Sequence, residues 1–297
     1  MGVLKALAEG PRSLPDLRRA VDSPPQTTMR GYLRELTRTG VVERHRRNDF
    51  PGNVEYQLAA GGRELLAVAE VVDAWLRSFP EEPTVFGSGA AKSAIKALVD
   101  GWSTSMIRAL AIRPLSLTEL DAVIASVSYP SLERRLAAMR LCGLVEPLPS
   151  GGRGTPYAVS EWLRKAIAPI GAAARWERVH VGEETPTITN RDAEAAFMLA
   201  LPLLSLPAGA SGSCRLGVQV GNGDVLAGVV ASVRDGKVEA CATKLEREAD
   251  AWAVGSADAW FATVIERDSS QLVLGGNDDL ANEVVAALHK ALFDAVA

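Results

Sequence analysis

Thr27-Thr28-Met29-Arg30-Gly31-Tyr32-Leu33-Arg34-Glu35-Leu36-Thr37-Arg38-Thr39-Gly40-Val41-Val42-Glu43 is the stretch whose reading decides the fold. Met29, Leu33 and Leu36 recur at the i, i+4, i+7 spacing of a buried helical stripe. Thr27, Arg30, Arg34 and Arg38 fall on the opposite side, so the exposed face is basic with short hydroxyl side chains between the arginines. Gly40 stands where a helix ends in a left-handed residue, and Ser23-Pro24-Pro25 supplies the turn before its start. Taken alone this is an ordinary amphipathic helix with a solvated charged face. A second copy changes that reading.

A shift of 103 residues pairs Ala6 with Ala109, Pro11 with Pro114, Ser13 with Ser116, Leu17 with Leu120, Leu33 with Leu136, Gly40 with Gly143 and Glu43 with Glu146. Further on the shift becomes 101, pairing Tyr56 with Tyr157 and Arg63 with Arg164, so the second copy has the shorter intervening loop. A period of this length is too long for a solenoid and suits a duplicated domain. Each copy reads as a helix (from Val3, or from about Ala91), a Pro-containing turn, a short helix (Leu14 to Val21; Leu117 to Ser126), a turn and a long helix. A strand, a loop (44–53; 147–156), a second strand (Val54 to Leu58; Tyr157 to Ser160) and a final helix follow. Three helices and a two-stranded wing make a winged helix-turn-helix.

Both copies resemble the HxlR type of winged-helix transcriptional regulator. The residues that carry the resemblance are Leu14-Pro15-Asp16-Leu17-Arg18-Arg19, Leu33-Arg34-Glu35-Leu36 with Gly40-Val41-Val42-Glu43-Arg44, and Val54-Glu55-Tyr56-Gln57-Leu58 running into Gly61-Gly62-Arg63-Glu64-Leu65. It covers roughly residues 1–79 and 90–178. That family often has a cysteine near its N-terminus, where this chain has Met1-Gly2-Val3, so no redox sensing through such a residue is expected.

The net charge of −4 speaks superficially against nucleic acid, but it is unevenly spread. Residues 1–79 carry +2, residues 80–179 carry +3 and residues 180–297 carry −9. Residues 30–47 hold six arginines against two glutamates, a basic stripe along the long helix and the wing. Cys142, Cys214 and Cys241 give neither a disulfide framework nor zinc spacing, which fits a reducing compartment. No apolar run reaches the ~18 residues of a membrane span, and no signal peptide opens the chain. A cytoplasmic, nucleoid-associated protein is expected.

The pattern changes after a linker expected at Pro186 to Asn190. A helix is expected over Asp192 to Ser205. Strands Cys214 to Val220 and Val225 to Val233 would be joined by a hairpin at Gly221-Asn222-Gly223-Asp224, with a third strand at Lys237 to Thr243. Ala251 to Val254 is a fourth strand, Ser256 caps a helix, Leu272 to Leu274 is the last strand and Asp278 to Val296 a closing helix. This region resembles the sterol-carrier-protein-like fold through Val254-Gly255-Ser256-Ala257-Asp258-Ala259-Trp260-Phe261 and Leu274-Gly275-Gly276-Asn277-Asp278-Asp279-Leu280-Ala281. That resemblance implies a sheet with helices around an apolar tunnel for a hydrophobic small molecule. Phe197, Leu201, Trp252, Trp260, Phe261 and Phe293 are its candidate lining, although aromatic residues at such spacing commonly just fill a core.

Gly87-Ser88-Gly89-Ala90-Ala91-Lys92 lacks the strand and the Lys-Ser/Thr spacing of a phosphate-binding loop and reads as an inter-domain linker. His45, His180 and His289 show no metal spacing, and no nucleophile–base pattern emerges. Neither enzyme chemistry, nor a metal, nor a cofactor is expected.

The expected fold class is α+β: a winged helix-turn-helix over 1–79, a second over 80–179 and a sterol-carrier-like ligand domain over 180–297. The leading function is sequence-specific binding of double-stranded DNA by a transcriptional regulator that senses a hydrophobic effector. Thr27, Thr28, Arg30 and Arg34 would reach into the major groove, with Arg38 on the same DNA-binding face and Arg44, Arg46 and Arg47 on the phosphates. In the second copy Ser131, Arg134, Arg135 and Arg153 are the counterparts, a weaker set that leaves the first copy dominant. The two copies are expected to pair within one chain as a pseudo-dimer, so that even a monomer would present both. The alternative is a ligand carrier or interaction module whose winged helices no longer bind DNA.

Overall fold

The computed structural model describes residues 2–46, 54–81, 83–101, 104–124, 127–149, 154–181, 187–220 and 225–293. It divides into two compact units, Met1–Asp73 with Pro169–Thr185, and Ala74–Ala168 with Pro186–Ala297.

The first unit begins with α1 (Gly2–Ala8), the short strand β1 (Arg12–Ser13), α2 (Leu14–Ala20) and α3 (Gln26–Arg38). Strands β2 (Val42–Arg46) and β3 (Val54–Leu58) follow, and α4 (Ala60–Arg77) leaves it. Ser13 opens α2 with a capping box: its hydroxyl accepts from the Asp16 amide while Asp16 reaches back to the Ser13 amide. Asp22 and Ser23 take positive φ (56° and 52°), turning the chain into Pro24-Pro25 and α3. At the far end of α3, Gly40 has φ +69° and the Val41 amide bonds the Leu36 carbonyl at 2.9 Å, closing the helix in a Schellman turn. Leu4, Leu7, Leu17, Met29, Leu33, Val41, Val42 and Leu58 form the core, and Trp176 packs against it. The apolar stripe read from the sequence is therefore the buried one. The sheet runs β1-β3-β2, all antiparallel, with Arg44 opposite Tyr56 and Arg46 opposite Val54. The expected loop thus starts later than residue 44, because ladder pairing with β3 holds the charged run Glu43 to Arg46 in a strand. Residues 47–53 lie outside the described residues.

The second unit contains α5 (Gly89–Gly101), α6 (Thr104–Ile112), α7 (Leu117–Val123), α8 (Tyr129–Leu141), β4 (Val145–Pro147) and β5 (Tyr157–Val159). From α6 onward the order repeats that of α1 to β3, and so do its local devices. Ser116 and Glu119 form the same capping box, and Gly143 (φ +72°) closes α8 with the Leu144 amide on the Met139 carbonyl at 2.9 Å. The Leu115–Tyr157 bridge stands where β1 pairs with β3. One helix is added: α5 packs against α8 through Ala91, Ala94, Ala97 and Leu98. Part of the segment expected as a linker is therefore the start of α5, whose Ala91 amide is capped by the Ser88 hydroxyl. Trp102, Ser126 and Pro186 lie outside the described residues. The counterpart of α4 is split into α9 (Glu161–Lys165) and α10 (Ile167–His180). Pro169 accounts for the break, since it cannot donate to the Lys165 carbonyl.

The rest of the second unit is α11 (Asn190–Ala200), a 3-10 turn (Leu201–Leu203), and strands β6 (Gly212–Val220), β7 (Val225–Arg234), β8 (Lys237–Ala242) and β9 (Ala251–Ser256). It finishes with α12 (Ala257–Glu266), β10 (Val273–Gly276) and α13 (Asp278–Phe293). The helix expected to run to Ser205 stops at Ala200, ahead of Pro202, and begins two residues early, at Asn190 behind a Thr189–Asp192 capping box. Ser256 caps α12 as expected. The hairpin residues 221–224 and the end of the last helix lie outside the described residues. The sheet order is β10-β9-β6-β7-β8, with β6 and β9 parallel and the other neighbours antiparallel. Cys214, Leu216, Val229, Ala231, Ala251 and Ala253 bury one face of it beneath the helices. On α11, Asp192 accepts from the Thr104 hydroxyl at 2.7 Å and Glu194 pairs with Arg108, so this sheet region and α6 share one packed body.

A matched pair of contacts links the closing helices to the two units. In the second unit the indole N–H of Trp75, on the tail of α4, donates to the Trp162 carbonyl. In the first unit the indole N–H of Trp176, on α10, donates to the Gly61 carbonyl. Under the 101-residue shift Trp75 corresponds to Trp176 and Gly61 to Trp162. Each copy's closing helix thus contributes its tryptophan to the unit built around the other copy.

Candidate nucleic-acid interface

Helix α3 presents Thr27, Thr28, Arg30, Arg34 and Arg38 to solvent, all exposed, while Met29 and Leu33 anchor the other side at 1% exposure. Arg38 forks onto Glu35 (Nη2–Oε1 2.6 Å), and that contact holds the Glu35 carboxyl below its ordinary range. Arg30 and Arg34 stand further toward the N-terminus of the helix, the part a helix-turn-helix inserts toward base edges. On β2, Arg44 and Arg46 share one strand face and are both exposed, alternating with Glu43 and His45. Glu43 accepts from Gln57 Nε2 at 3.0 Å and meets His45 Nε2 at 3.1 Å; these two bonds, Gln57 first, lower its carboxyl pKa. Glu43, beside Arg44 on β2, is therefore engaged within the sheet. Arg47 lies outside the described residues, as does Arg153.

The second copy offers a different surface. Arg134 is exposed on α8, but Ser131 and Arg135 are half-buried, where their counterparts Thr28 and Tyr32 are exposed. The packing of α5 against α8 accounts for that difference. At the positions of Arg30, Arg34 and Arg38 this copy has Glu133, Ala137 and Leu141, and Leu141 is 83% exposed. Its first wing strand, β4, spans three residues against five in β2. The sequence-predicted site omitted Tyr32, an aromatic ring 59% exposed on α3; the signal was available, since it falls outside the Met29-Leu33-Leu36 stripe.

The candidate ligand residues separate into two groups. Phe197, Leu201 and Trp260 meet in the core under the sheet: the Phe197 and Trp260 rings are T-shaped at 5.0 Å, and the Trp260 indole donates to the Gly217 carbonyl at 2.8 Å. Trp252 lies on the opposite face of the sheet, 37% exposed, its ring against Gly275. Phe261 is half-buried, and Phe293 is half-buried with its ring on His289 at 5.7 Å. Burial pushes Cys214 up to about 12 and Cys241 up to about 11, so both thiols stay protonated and unreactive. Among the described residues no group of His, Cys, Asp or Glu could hold a metal ion, and no helix is long and apolar enough to cross a membrane.

Three helices, a three-stranded sheet and a basic exposed third helix define a winged helix-turn-helix, the class that DNA-binding transcriptional regulators use. Residues 1–83 match the family model described as HxlR-like helix-turn-helix, and this part of the chain is such a domain. No curated protein matches the chain. Among solved structures it is similar to a protein described as a transcriptional regulator of the MarR family from Enterococcus faecalis V583, at 30% identity over 25% of this chain and 66% of that one (TM-score 0.24). This chain thus spans just under two thirds of that relative's length. It is also similar to the transcriptional regulator YodB from B. subtilis in its reduced form, at 28% identity over 27% of this chain and 78% of that one (TM-score 0.26). A structure described as an HTH-type transcriptional regulator, ytcD, is 33% identical over 25% of this chain and 74% of that one (TM-score 0.24).

Proposed function

We propose that the protein is a sequence-specific DNA-binding transcriptional regulator in which the first winged helix does the reading. The observation that carries this is the exposed face of α3, with Thr27, Thr28, Arg30, Arg34 and Arg38, continued by Arg44 and Arg46 on β2 within a domain that matches the HxlR-like family. Arginine can bond guanine bidentately in the major groove, and wing arginines suit backbone phosphates. The second copy acts as a second winged helix paired with the first inside the same chain, a reading supported by the matched Trp75–Trp162 and Trp176–Gly61 contacts. It contributes less to reading, because α5 packs against α8 and the positions of Arg30, Arg34 and Arg38 hold Glu133, Ala137 and Leu141 there. The sheet region after residue 190 is a sterol-carrier-like module for a hydrophobic small molecule, supported by a five-stranded sheet with helices on one face.

A mobility shift of random-sequence duplexes at stepped salt concentrations tests the reading. Enrichment of a common sequence, with affinity falling as salt rises, is the expected result. Absence of any duplex binding by the full chain would favour the carrier or interaction reading, in which exposed Leu141 on α8 meets a protein instead. Sedimentation should give one chain of 31.5 kDa per particle if the pairing is internal.

A further inference from the structure

Gly31 stands in the middle of the solvent face of α3, inside an uninterrupted helix. Glycine is the poorest helix former after proline, because it surrenders the most backbone freedom on ordering. Two reasons that usually place glycine in a helix are absent here. Its backbone is not in the left-handed region, and a Cβ built on it would meet nothing within 4 Å among the described residues. Neither conformation nor internal packing asks for the missing methyl group. Its neighbours one turn away are Thr27, Thr28, Arg34 and Glu35, the residues of the DNA-facing surface. Arg38 is folded onto Glu35 and so is drawn toward the rim of this notch. The result is a short stretch of bare helix backbone flanked by hydroxyls on one side and a guanidinium on the other. In the second copy the same position holds Arg134, an exposed residue with a long side chain where α3 has none.

We propose that Gly31 is the point at which α3 comes closest to the duplex, a positioning residue that lets a base edge reach the helix backbone between Thr27 and Arg34. The proposal rests on the DNA-reading assignment of the first winged helix. The missing side chain sets how deep the helix sits in the major groove, and depth decides whether the threonine hydroxyls and Arg34 reach base edges or stop at phosphates. A methyl group here would hold the helix off the bases while leaving phosphate contacts intact.

The test uses the full chain with Gly31→Ala, Gly31→Arg and Arg34→Ala, against a duplex selected by the wild type from random-sequence DNA and a scrambled duplex, at one salt concentration. For Gly31→Ala the thermal midpoint should rise by roughly 2–8 °C, because alanine favours the helix. Affinity for the selected duplex should fall about tenfold while affinity for the scrambled one is unchanged. Gly31→Arg should bind the scrambled duplex more tightly and the selected one less tightly. A Gly31→Ala protein with the wild-type ratio of selected to scrambled affinity overturns the proposal, and so does one with a lower thermal midpoint, which would make the glycine a servant of the fold. If Arg34→Ala loses the selected duplex while Gly31→Ala keeps it, the DNA reading stands and only this inference falls. If the wild type enriches no sequence, both fall.

Discussion

Trp75 and Trp162 each donate an indole N–H to the other's backbone carbonyl, at 2.9 and 2.8 Å, with their rings stacked 4.4 Å apart and nearly parallel. Both are 4% exposed, and Phe79 tilts onto the Trp162 ring at 4.7 Å. A buried indole needs a partner for its N–H, and here each residue's backbone carbonyl supplies the other's. Trp75→Ala should cost about 3–5 kcal/mol through the cavity it leaves. Trp75→Phe should cost less, about 1–3 kcal/mol, through loss of the indole hydrogen bond, while the Trp162 carbonyl keeps the Ala166 amide at 3.2 Å. Urea unfolding followed by tryptophan fluorescence compares the two; equal losses would mean that the indole hydrogen bond, removed by both, outweighs volume.

Under the proposed function, α3 and α8 should contribute unequally to DNA affinity. Arg34→Ala is expected to weaken binding of a selected duplex by about 1–3 kcal/mol, the range for a bidentate base contact. Arg134→Ala should cost less, since its helix keeps Glu133, Ala137 and Leu141 where α3 has arginines. Titrations at a single salt concentration measure both, and a greater loss from Arg134→Ala would reverse the ranking.

Acid should loosen α7 through its cap. The Ser116 amide and hydroxyl, in that order, followed by Arg113, hold Glu119 down at about 2 against an ordinary 4.5. A carboxylate with a depressed folded pKa stabilises the fold above its unfolded pKa, so this contribution is whole above about pH 4.5 and is lost as pH falls toward 2. Asp16 is lowered in the same direction by Ser13. Far-ultraviolet circular dichroism of Glu119→Ala should show lower helix content near neutral pH and a shallower acid transition than the wild type. An unchanged acid transition would remove Glu119 from the account.

Removing residues 190–297 should loosen α6 and spare α3. Helix α11 supplies Asp192 to Thr104 and Glu194 to Arg108, and the guanidinium of Arg164 donates to the Met198 carbonyl at 2.9 Å. Amide hydrogen exchange in Thr104–Ile112 should accelerate in the truncated chain while Gln26–Arg38 keeps its protection. Equal acceleration in both helices would contradict the division into these two units.

Much of this architecture was readable from residue spacing, and the exceptions have physical causes. The Met29-Leu33-Leu36 and Leu132-Leu136-Met139 stripes, with a glycine behind each, sufficed to read both long helices because burial dictates those positions. Helix α5 escaped in part: its buried face is largely alanine, which barely registers as apolar, and Ser88-Gly89 looks like a flexible joint although it caps the helix. Arg44 and Arg46 carry no strand periodicity, and their strand exists only because β3 pairs with it. Trp252 was grouped with the core aromatics although it alternates with buried Ala251 and Ala253, a period-two signal that puts it on the other face. The exchange of tryptophans could not be read at all, because it joins residues 87 and 115 positions apart.

That separation also sets the order in which the protein can be completed. Trp176 packs against the core of the first unit, yet it follows Gly61, whose carbonyl it caps, by 115 residues. At ribosomal rates of ~5–20 residues per second, the reader waits roughly 6–23 s for its last core side chain to be synthesised. During that interval Leu65 and Leu66, which pack against the same core, have no Trp176 beside them. The winged helix of residues 2–58 is thus synthesised well before Trp176, but its packing is complete only once Trp176 has arrived.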